Sequence, residues 1–122
     1  MNTTKYGNRK AEYGGKIYHS TLEAEDAIWL KSLQKEGRIS DLKEQVRYRI
    51  FHNGDHIVDS IVDFQFVYNG VTVWYETKGM ETDKYRVVKR LLMAEMKDKE
   101  SEIYIVNAKD LMQYMRGRVS HA

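Results

Sequence analysis

The stretch from His56 to Gly79, HIVDSIVDFQFVYNGVTVWYETKG, decides how this chain folds. Two runs rich in β-branched and aromatic residues flank Asn69-Gly70, a dipeptide suited to a two-residue type I′ turn because both central positions take φ > 0. The turn places Tyr68 opposite Val71, and continuing the ladder outward brings Asp63 opposite Glu76. Strand side chains alternate, so Glu76 and Lys78 share a face, and the pairing adds Asp63 to it. Directly opposed side chains have Cβ atoms roughly 4.5–5.5 Å apart, a spacing at which like charges destabilise a sheet. Two acids held there call for a compensating cation.

The other face of this hairpin carries Val62, Phe64, Phe66, Tyr68, Val71, Val73 and Tyr75, an apolar surface that must pack on a second layer. A slip of one residue would bury both carboxylates and expose the aromatics, so the register is strongly specified. On the polar face, two carboxylates and an ammonium form a compact site for a hard divalent cation, which prefers oxygen ligands and relieves their repulsion. Lys78 is then free to contact a phosphate or a nucleophilic water.

Composition bounds the rest. The 122 residues make one domain, long enough for a single modest core, and 31% charged with 42% hydrophobic residues describes a folded chain rather than a disordered one. A net charge of +2 is too small to indicate nucleic acid by itself, because screening makes local clusters matter more than totals. The absence of cysteine excludes a disulfide framework and thiolate metal sites. With no membrane-length apolar run and no signal-peptide pattern, the expectation is a cytoplasmic protein.

Residues 1–16 are polar and basic, with Lys5, Arg9, Lys10 and Lys16 against Glu12. They read either as a frayed terminus or as an arm that contacts phosphates, and Ile17-Tyr18 adds a short edge strand. Ser20 to Gly37 is the first helix, capped by Ser20, with Glu23 in a capping-box position and Gly37 as its stop. Its apolar stripe is Leu22, Trp29, Leu30 and Leu33. Glu23 lies at one edge of the stripe, Glu25 at the other and Asp26 within it. Glu23 therefore either satisfies the Ser20 backbone or leans over the sheet, with Asp26 as its competitor for the second role.

Asp41 to Phe51 alternates, with Leu42, Val46, Tyr48 and Ile50 on one side and Lys43, Gln45, Arg47 and Arg49 on the other, a half-buried strand with a basic face. Gln45 reaches the side of Asp63 only if the turn between His52 and His56 is odd in length, such as Asn53-Gly54-Asp55. His52 and His56 themselves read as solvated residues at a hairpin tip, and Asp59 as surface. Thr82 caps a helix running to Asp98 whose buried stripe is Tyr85, Val88, Leu92 and Met96. Lys84, Arg86, Lys89 and Arg90 crowd its N-terminal half, where cations oppose the helix dipole and an anionic partner would offset the cost. Ile103 to Val106 reads as a strand buried on both faces, and a last helix follows from Asn107 or Asp110, with Arg116 and Arg118 beyond it.

Asp63 followed by Glu76-Thr77-Lys78 resembles the D…E-x-K signature of the PD-(D/E)XK nuclease superfamily, and the wider context is similar to small phage-encoded endonucleases within it. The resemblance runs through Lys5-Tyr6-Gly7, Ser20 to Ala24, Leu42 to Gln45, Asp63-Phe64, Glu76 to Gly79 and Thr82 to Lys89, most of the chain. Val62 stands where the superfamily has proline. The resemblance implies an α/β (α+β) fold with a restriction-endonuclease-like αβββαβ core, a mixed sheet flanked by helices, and an added C-terminal helix. The element order read from periodicity agrees with it.

What the resemblance implies for function is a metal-dependent DNA endonuclease using one or two Mg²⁺ or Mn²⁺ ions. Asp63, Glu76, the Thr77 carbonyl and Glu23 would bind the metal, with Asp63, Glu76, Lys78 and Glu23 as the catalytic set. Lys89, Gln45, Arg47, Lys84 and Arg86 would contact DNA. A branched-DNA or Holliday-junction resolving enzyme, which favours a symmetric homodimer, stands beside a nickase or exonuclease on linear DNA. A catalytically silent nucleic-acid-binding module of the same fold is the alternative of a different class.

Overall fold

The computed structural model describes residues 10–78 and 82–117. Among them are six strands and three helices of an α+β fold, in the order β1 (Ala11–Tyr13), β2 (Lys16–Tyr18), α1 (Thr21–Lys35), β3 (Ser40–His52), β4 (Asp55–Tyr68), β5 (Val71–Glu76), α2 (Asp83–Lys97), β6 (Glu102–Val106) and α3 (Ala108–Met115). Strands β3 to β6 form a four-stranded mixed sheet in that order, antiparallel except for the parallel pair β5 and β6. A parallel neighbour requires a crossover, and α2 supplies it.

The hairpin at Asn69-Gly70 forms as its sequence dictates. Both residues take positive φ, 50° and 80°, and the ladder runs from Tyr68↔Val71 to Phe64↔Tyr75. Asp63 and Glu76 come next on their strands. Because β5 alternates, its adjacent Trp74 and Tyr75 point into different cores. Tyr75 packs with Phe64, Phe66, Val73, Leu30, Leu33 and Leu111 beneath α1 and α3, while Trp74 packs with Tyr48, Ile50, Val88, Leu92 and Met96 beneath α2. Helices thus cover both faces of the sheet. Each fully buried large apolar side chain contributes roughly 1.5–3 kcal/mol to holding these layers together.

The long β3–β4 hairpin departs from simple alternation at three places. Its turn is the two-residue Asn53-Gly54, with His52↔Asp55 as the closing pair, so the odd-length loop that would bring Gln45 beside Asp63 is not present. Instead, Ile50 pairs Val58 and Phe51 pairs His56, which leaves Ile57 unpaired as a bulge. That one extra residue corrects the parity the turn would have spoiled. A second irregularity lies between Ser40 and Lys43, where Asp41 has φ 55°, and a third residue, Gln45, has φ 54° in mid-strand. Around Gln45 the faces exchange: Leu42 packs with the α1 core, whereas Val46, Tyr48 and Ile50 pack with the α2 core. On the partner strand Phe64 and Val62 are divided in the same way. The single stripe read from Leu42, Val46, Tyr48 and Ile50 is therefore two half-stripes meeting beside Asp63.

Helix α1 is capped by Ser20 Oγ, which accepts from Glu23 N–H at 3.1 Å. It ends in a Schellman arrangement, with Gly37 at φ 79°, Arg38 N–H bonded to Leu33 C=O and Gly37 N–H to Gln34 C=O. Its buried face is Glu23, Ala24, Asp26, Ala27, Leu30 and Leu33. This corrects the expected stripe, since Leu22 is exposed and two acids take the buried turn in its place. Helix α2 matches expectation more closely, with Thr82 as N-cap and Val88, Leu92 and Met96 buried.

Residues 11–18 form a two-stranded hairpin separate from the main sheet, with Lys16 to Tyr18 as one of its strands, and the rest of the basic segment, residues 1–9, lies outside the described residues. Lys16 Nζ ties the hairpin to β3 through Glu44 Oε1 at 2.7 Å. Lys5-Tyr6-Gly7, Arg9, Gly79 and Arg118 lie outside the described residues. No described helix is long and apolar enough to cross a membrane.

Candidate active site

Strand β4 extends well past the point where β5 stops pairing with it, so the chain turning away at Thr77 opens a cleft along the β4 edge. The cleft has a volume of about 460 Å³, and Gln45, Asp63, Glu76, Lys78, Lys84 and Tyr85 contribute to its walls. Three elements deliver the acids. Asp63 comes from β4 at the exchange of faces, Glu76 from the last residue of β5, and Glu23 and Asp26 from the first turns of α1.

Short hydrogen bonds fix three of these four carboxylates. Thr77 N–H donates to Asp63 Oδ2 at 3.0 Å, which ties the two strand ends together where the ladder stops. Gln45 Nε2 donates to Glu23 Oε2 at 2.8 Å, and the buried Tyr75 hydroxyl donates to Asp26 Oδ2 at 2.7 Å. Glu23 thus reaches β3 through Gln45 while its carboxylate also accepts from the His19 backbone beside the cap. Positive φ at Gln45 is what aims that amide at α1, and the Ile57 bulge is what puts Gln45 across from Asp63.

The acids raise one another's pKa. Burial, then the charge of Asp63, then that of Glu23 push Glu76 up to about 9. Burial and Asp63 raise Glu23, against the opposing pull of His19 and Gln45. Asp63 is raised mainly by burial, with Asp26 adding to it and the Thr77 N–H working against it. Burial also raises Asp26, although the Tyr75 hydroxyl favours its charged form. The Thr77 hydroxyl is buried without a hydrogen-bond partner, near enough to Asp26 to favour its ionisation. Lys78 faces the cleft exposed, and among the described residues it makes no ion pair or hydrogen bond.

Of the residues expected from sequence, Asp63, Glu76, Glu23, Gln45, Lys78 and Lys84 gather at or beside this cleft. Arg47, Arg86 and Lys89 are not among its walls. Arg47 Nε instead lies 3.7 Å from Asp59 Oδ2, Arg86 Nη1 bonds Asp83 Oδ1 at 2.7 Å, and Lys89 is half-buried on α2. Sequence reasoning gave no part to three further groups. His19 lines the cleft with Nδ1 3.9 Å from Glu23 Oε1. Tyr85 and Tyr104 share a hydroxyl–hydroxyl hydrogen bond of 2.6 Å. Tyr85 sits three residues after the Thr82 cap on the apolar stripe, a position that reads as core until the cleft beside it is known.

No protein-family model, curated protein or solved structure matches this chain. The site is therefore weighed on its own geometry.

The donor chemistry fits a hard divalent cation. Asp63, Glu76 and Glu23 offer oxygens, each pays an electrostatic penalty for its neighbours' charge, and among the described residues no Lys or Arg forms an ion pair with any of them. Among the described residues no three acid or imidazole groups are close enough to form a finished cage.

Proposed function

We propose that this chain is a metal-dependent endonuclease of the PD-(D/E)XK type, hydrolysing phosphodiester bonds in DNA, with the αβββαβ run from α1 to β6 as its restriction-endonuclease-like core. The observation that carries the reading is the cluster of buried Glu76 and Glu23 with half-buried Asp63, mutually repelling and, among the described residues, without a Lys or Arg ion-pair partner, with Lys78 exposed beside it. A scaffold protein gains nothing from such a cluster, whereas a cation site for phosphoryl transfer requires one.

Asp63, Glu76 and Glu23 would hold Mg²⁺ or Mn²⁺, with the Thr77 carbonyl as a further ligand. The bound cation supplies Lewis-acid polarisation of the phosphodiester and a lowered pKa for the attacking water. The chain's own residues do the positioning. Thr77 N–H and Gln45 Nε2 fix the Asp63 and Glu23 carboxylates before any ligand arrives. The Tyr75–Asp26 bond locks α1 against β5, so the helix and strand acids keep their spacing. Lys78 Nζ is available to donate to a phosphoryl oxygen or to the water, and Lys84 to a flanking phosphate. Glu76, protonated near neutral pH by its surroundings, must release that proton on binding a cation.

The test compares a four-way junction, a linear duplex and single-stranded DNA, each with Mg²⁺ and with EDTA. Metal-dependent cleavage of any of them supports the reading, and cleavage confined to the junction identifies a resolving enzyme acting as a symmetric dimer. No cleavage with Mg²⁺ or Mn²⁺ would replace it by a nucleic-acid-binding module. Lys78→Ala should abolish cleavage while leaving DNA binding largely intact; a variant that cuts at the wild-type rate removes Lys78 from the mechanism.

A further inference from the structure

Past Gln45 and Asp63, the β3–β4 hairpin continues as a two-stranded ribbon with no β5 beside it. Its inner face is packed, with Tyr48, Ile50 and Val58 resting on the α2 core. Its outer face is open among the described residues and consists of three rungs: Arg47 opposite Ile61, Arg49 opposite Asp59, and Phe51 opposite His56. Ile61 is 47% and Phe51 41% exposed. The face is continuous with the cleft, because Asp59 and Ile61 belong to the cleft wall together with Asp63.

These rungs are pre-arranged. Asp59 lies 3.7 Å from Arg47 Nε, 3.8 Å from Arg49 Nε and 2.6 Å from His56 Nε2, so one carboxylate gathers three cationic or potentially cationic groups. The Arg49 guanidinium lies 5.3 Å from the Phe51 ring centre, and the His56 ring is 5.4 Å from the same ring at 56°. An exposed aromatic ring set between an arginine and a histidine on a strand surface is suited to stacking unpaired bases. Stacking needs a base's face, which a duplex keeps hidden and a single strand presents. Electrostatics alone would call for lysines spread along the ribbon, not a ring kept in water at its end.

We infer that the outer face of the β3–β4 ribbon, centred on Phe51 and Arg49, is a binding surface for a single-stranded nucleic-acid segment leading to or from the cleft. Gln45 and Phe51 are six residues apart, about 20 Å along a strand, so the surface engages bases well away from the reacting phosphate. The inference rests on the nuclease reading only in taking the cleft as the origin of that segment.

The experiment uses the full chain in Ca²⁺ with fluorescein-labelled 20-nucleotide oligo(dT) and a blunt 20-base-pair duplex, followed by anisotropy over a range of salt. Phe51→Ala should bind oligo(dT) about tenfold more weakly, the size of one lost base stack, with an unchanged salt slope. Phe51→Trp should restore the affinity and show indole quenching on binding. Arg49→Ala should weaken binding and reduce the salt slope by about one. Duplex binding by Phe51→Ala should change less than about twofold. Equal losses on both DNAs, or oligo(dT) affinity unaffected by Phe51→Ala, would overturn the inference while leaving the nuclease reading intact. Wild-type protein that binds neither DNA would overturn both.

Discussion

Asp59 and Asp63 lie four residues apart on one strand and meet opposite fates. Asp59 is surrounded by His56, Arg47 and Arg49, and these partners hold its carboxyl below the usual aspartate range. Asp63 lies where the strand is covered by α1 and β5, among Glu23, Asp26 and Glu76, and burial moves its pKa upward. The protein pairs one acid with its own cationic side chains and, among the described residues, gives the other no ion-pair partner. The contrast is a more specific feature than the D…E-x-K string, because such strings arise by chance whereas a crowded, desolvated acid cluster lowers stability.

The largest expected consequence concerns activity. On the nuclease reading, Glu76→Ala or Asp63→Ala should reduce Mg²⁺-dependent cleavage by about 10³-fold or more, on the scale of losing a main element of transition-state charge stabilisation. Asp59→Ala should alter the cleavage rate by less than a few-fold. A cleavage time course on whichever DNA the wild type cuts measures both, and comparable losses at 59 and 63 would erase the contrast.

Stability should respond next, with a sign fixed by linkage. Glu76 has an ordinary value of 4.5 and is raised to about 9 in the folded protein. Between those limits the native state retains a proton that the unfolded chain has released, so stability falls as pH rises through the window. The slope for one such proton is at most about 1.4 kcal/mol per pH unit. Glu76→Gln, which mimics the neutral acid, should therefore stabilise the metal-free protein at pH 8 by ~1–3 kcal/mol and leave it nearly unchanged at pH 4.5. Chemical denaturation at the two pH values measures this. Mn²⁺ should raise the wild-type Tm more at pH 8 than at pH 6, since cation and proton compete for the same oxygens.

A smaller effect follows from Gln45. Its amide holds Glu23 toward the cleft, and its own side is exposed, so Gln45→Ala should leave the fold intact. Loss of that support should weaken Mn²⁺ binding about tenfold, in the range found for residues that orient metal ligands. Isothermal titration calorimetry at pH 7.5 gives the comparison, and an unchanged affinity would reduce Gln45 to a surface residue.

The part of the molecule legible in its sequence is the part where residue count and geometry keep step. Asn69-Gly70 fixes a register that carries through to Phe64↔Tyr75, Ser20 and Thr82 cap the helices they precede, and the α2 stripe is buried as expected at Val88, Leu92 and Met96, with Tyr85 turned to the cleft. Legibility fails where one residue is inserted or one dihedral leaves the strand region. Ile57 is a bulge with no glycine to announce it, and Asp41 and Gln45 hold positive φ that neither residue type demands. Those irregularities move Gln45 opposite Asp63 and divide the β3 stripe between two cores. The α1 face was obscured differently: Glu23 and Asp26 are buried by polar partners supplied from β3 and β5, which a helical wheel cannot anticipate.

The smallest prediction tests the compensated side of the comparison. Asp59 has a lowered folded pKa, so its contribution to stability is present above the unfolded value and disappears as pH falls through the folded one, the reverse of Glu76. Asp59→Asn should therefore lower Tm slightly at pH 7, and the difference should narrow at pH 2.5, below the unfolded aspartate value. The effect should shrink in 0.5 M NaCl, because the pairs with Arg47 and Arg49 are exposed and screened. Calorimetric scans of wild type and variant under these three conditions decide it. If Asp59→Asn instead stabilised the protein at pH 7, Asp59 would be a second uncompensated acid, and the division between a paired acid on the ribbon and the crowded acids of the cleft would not hold.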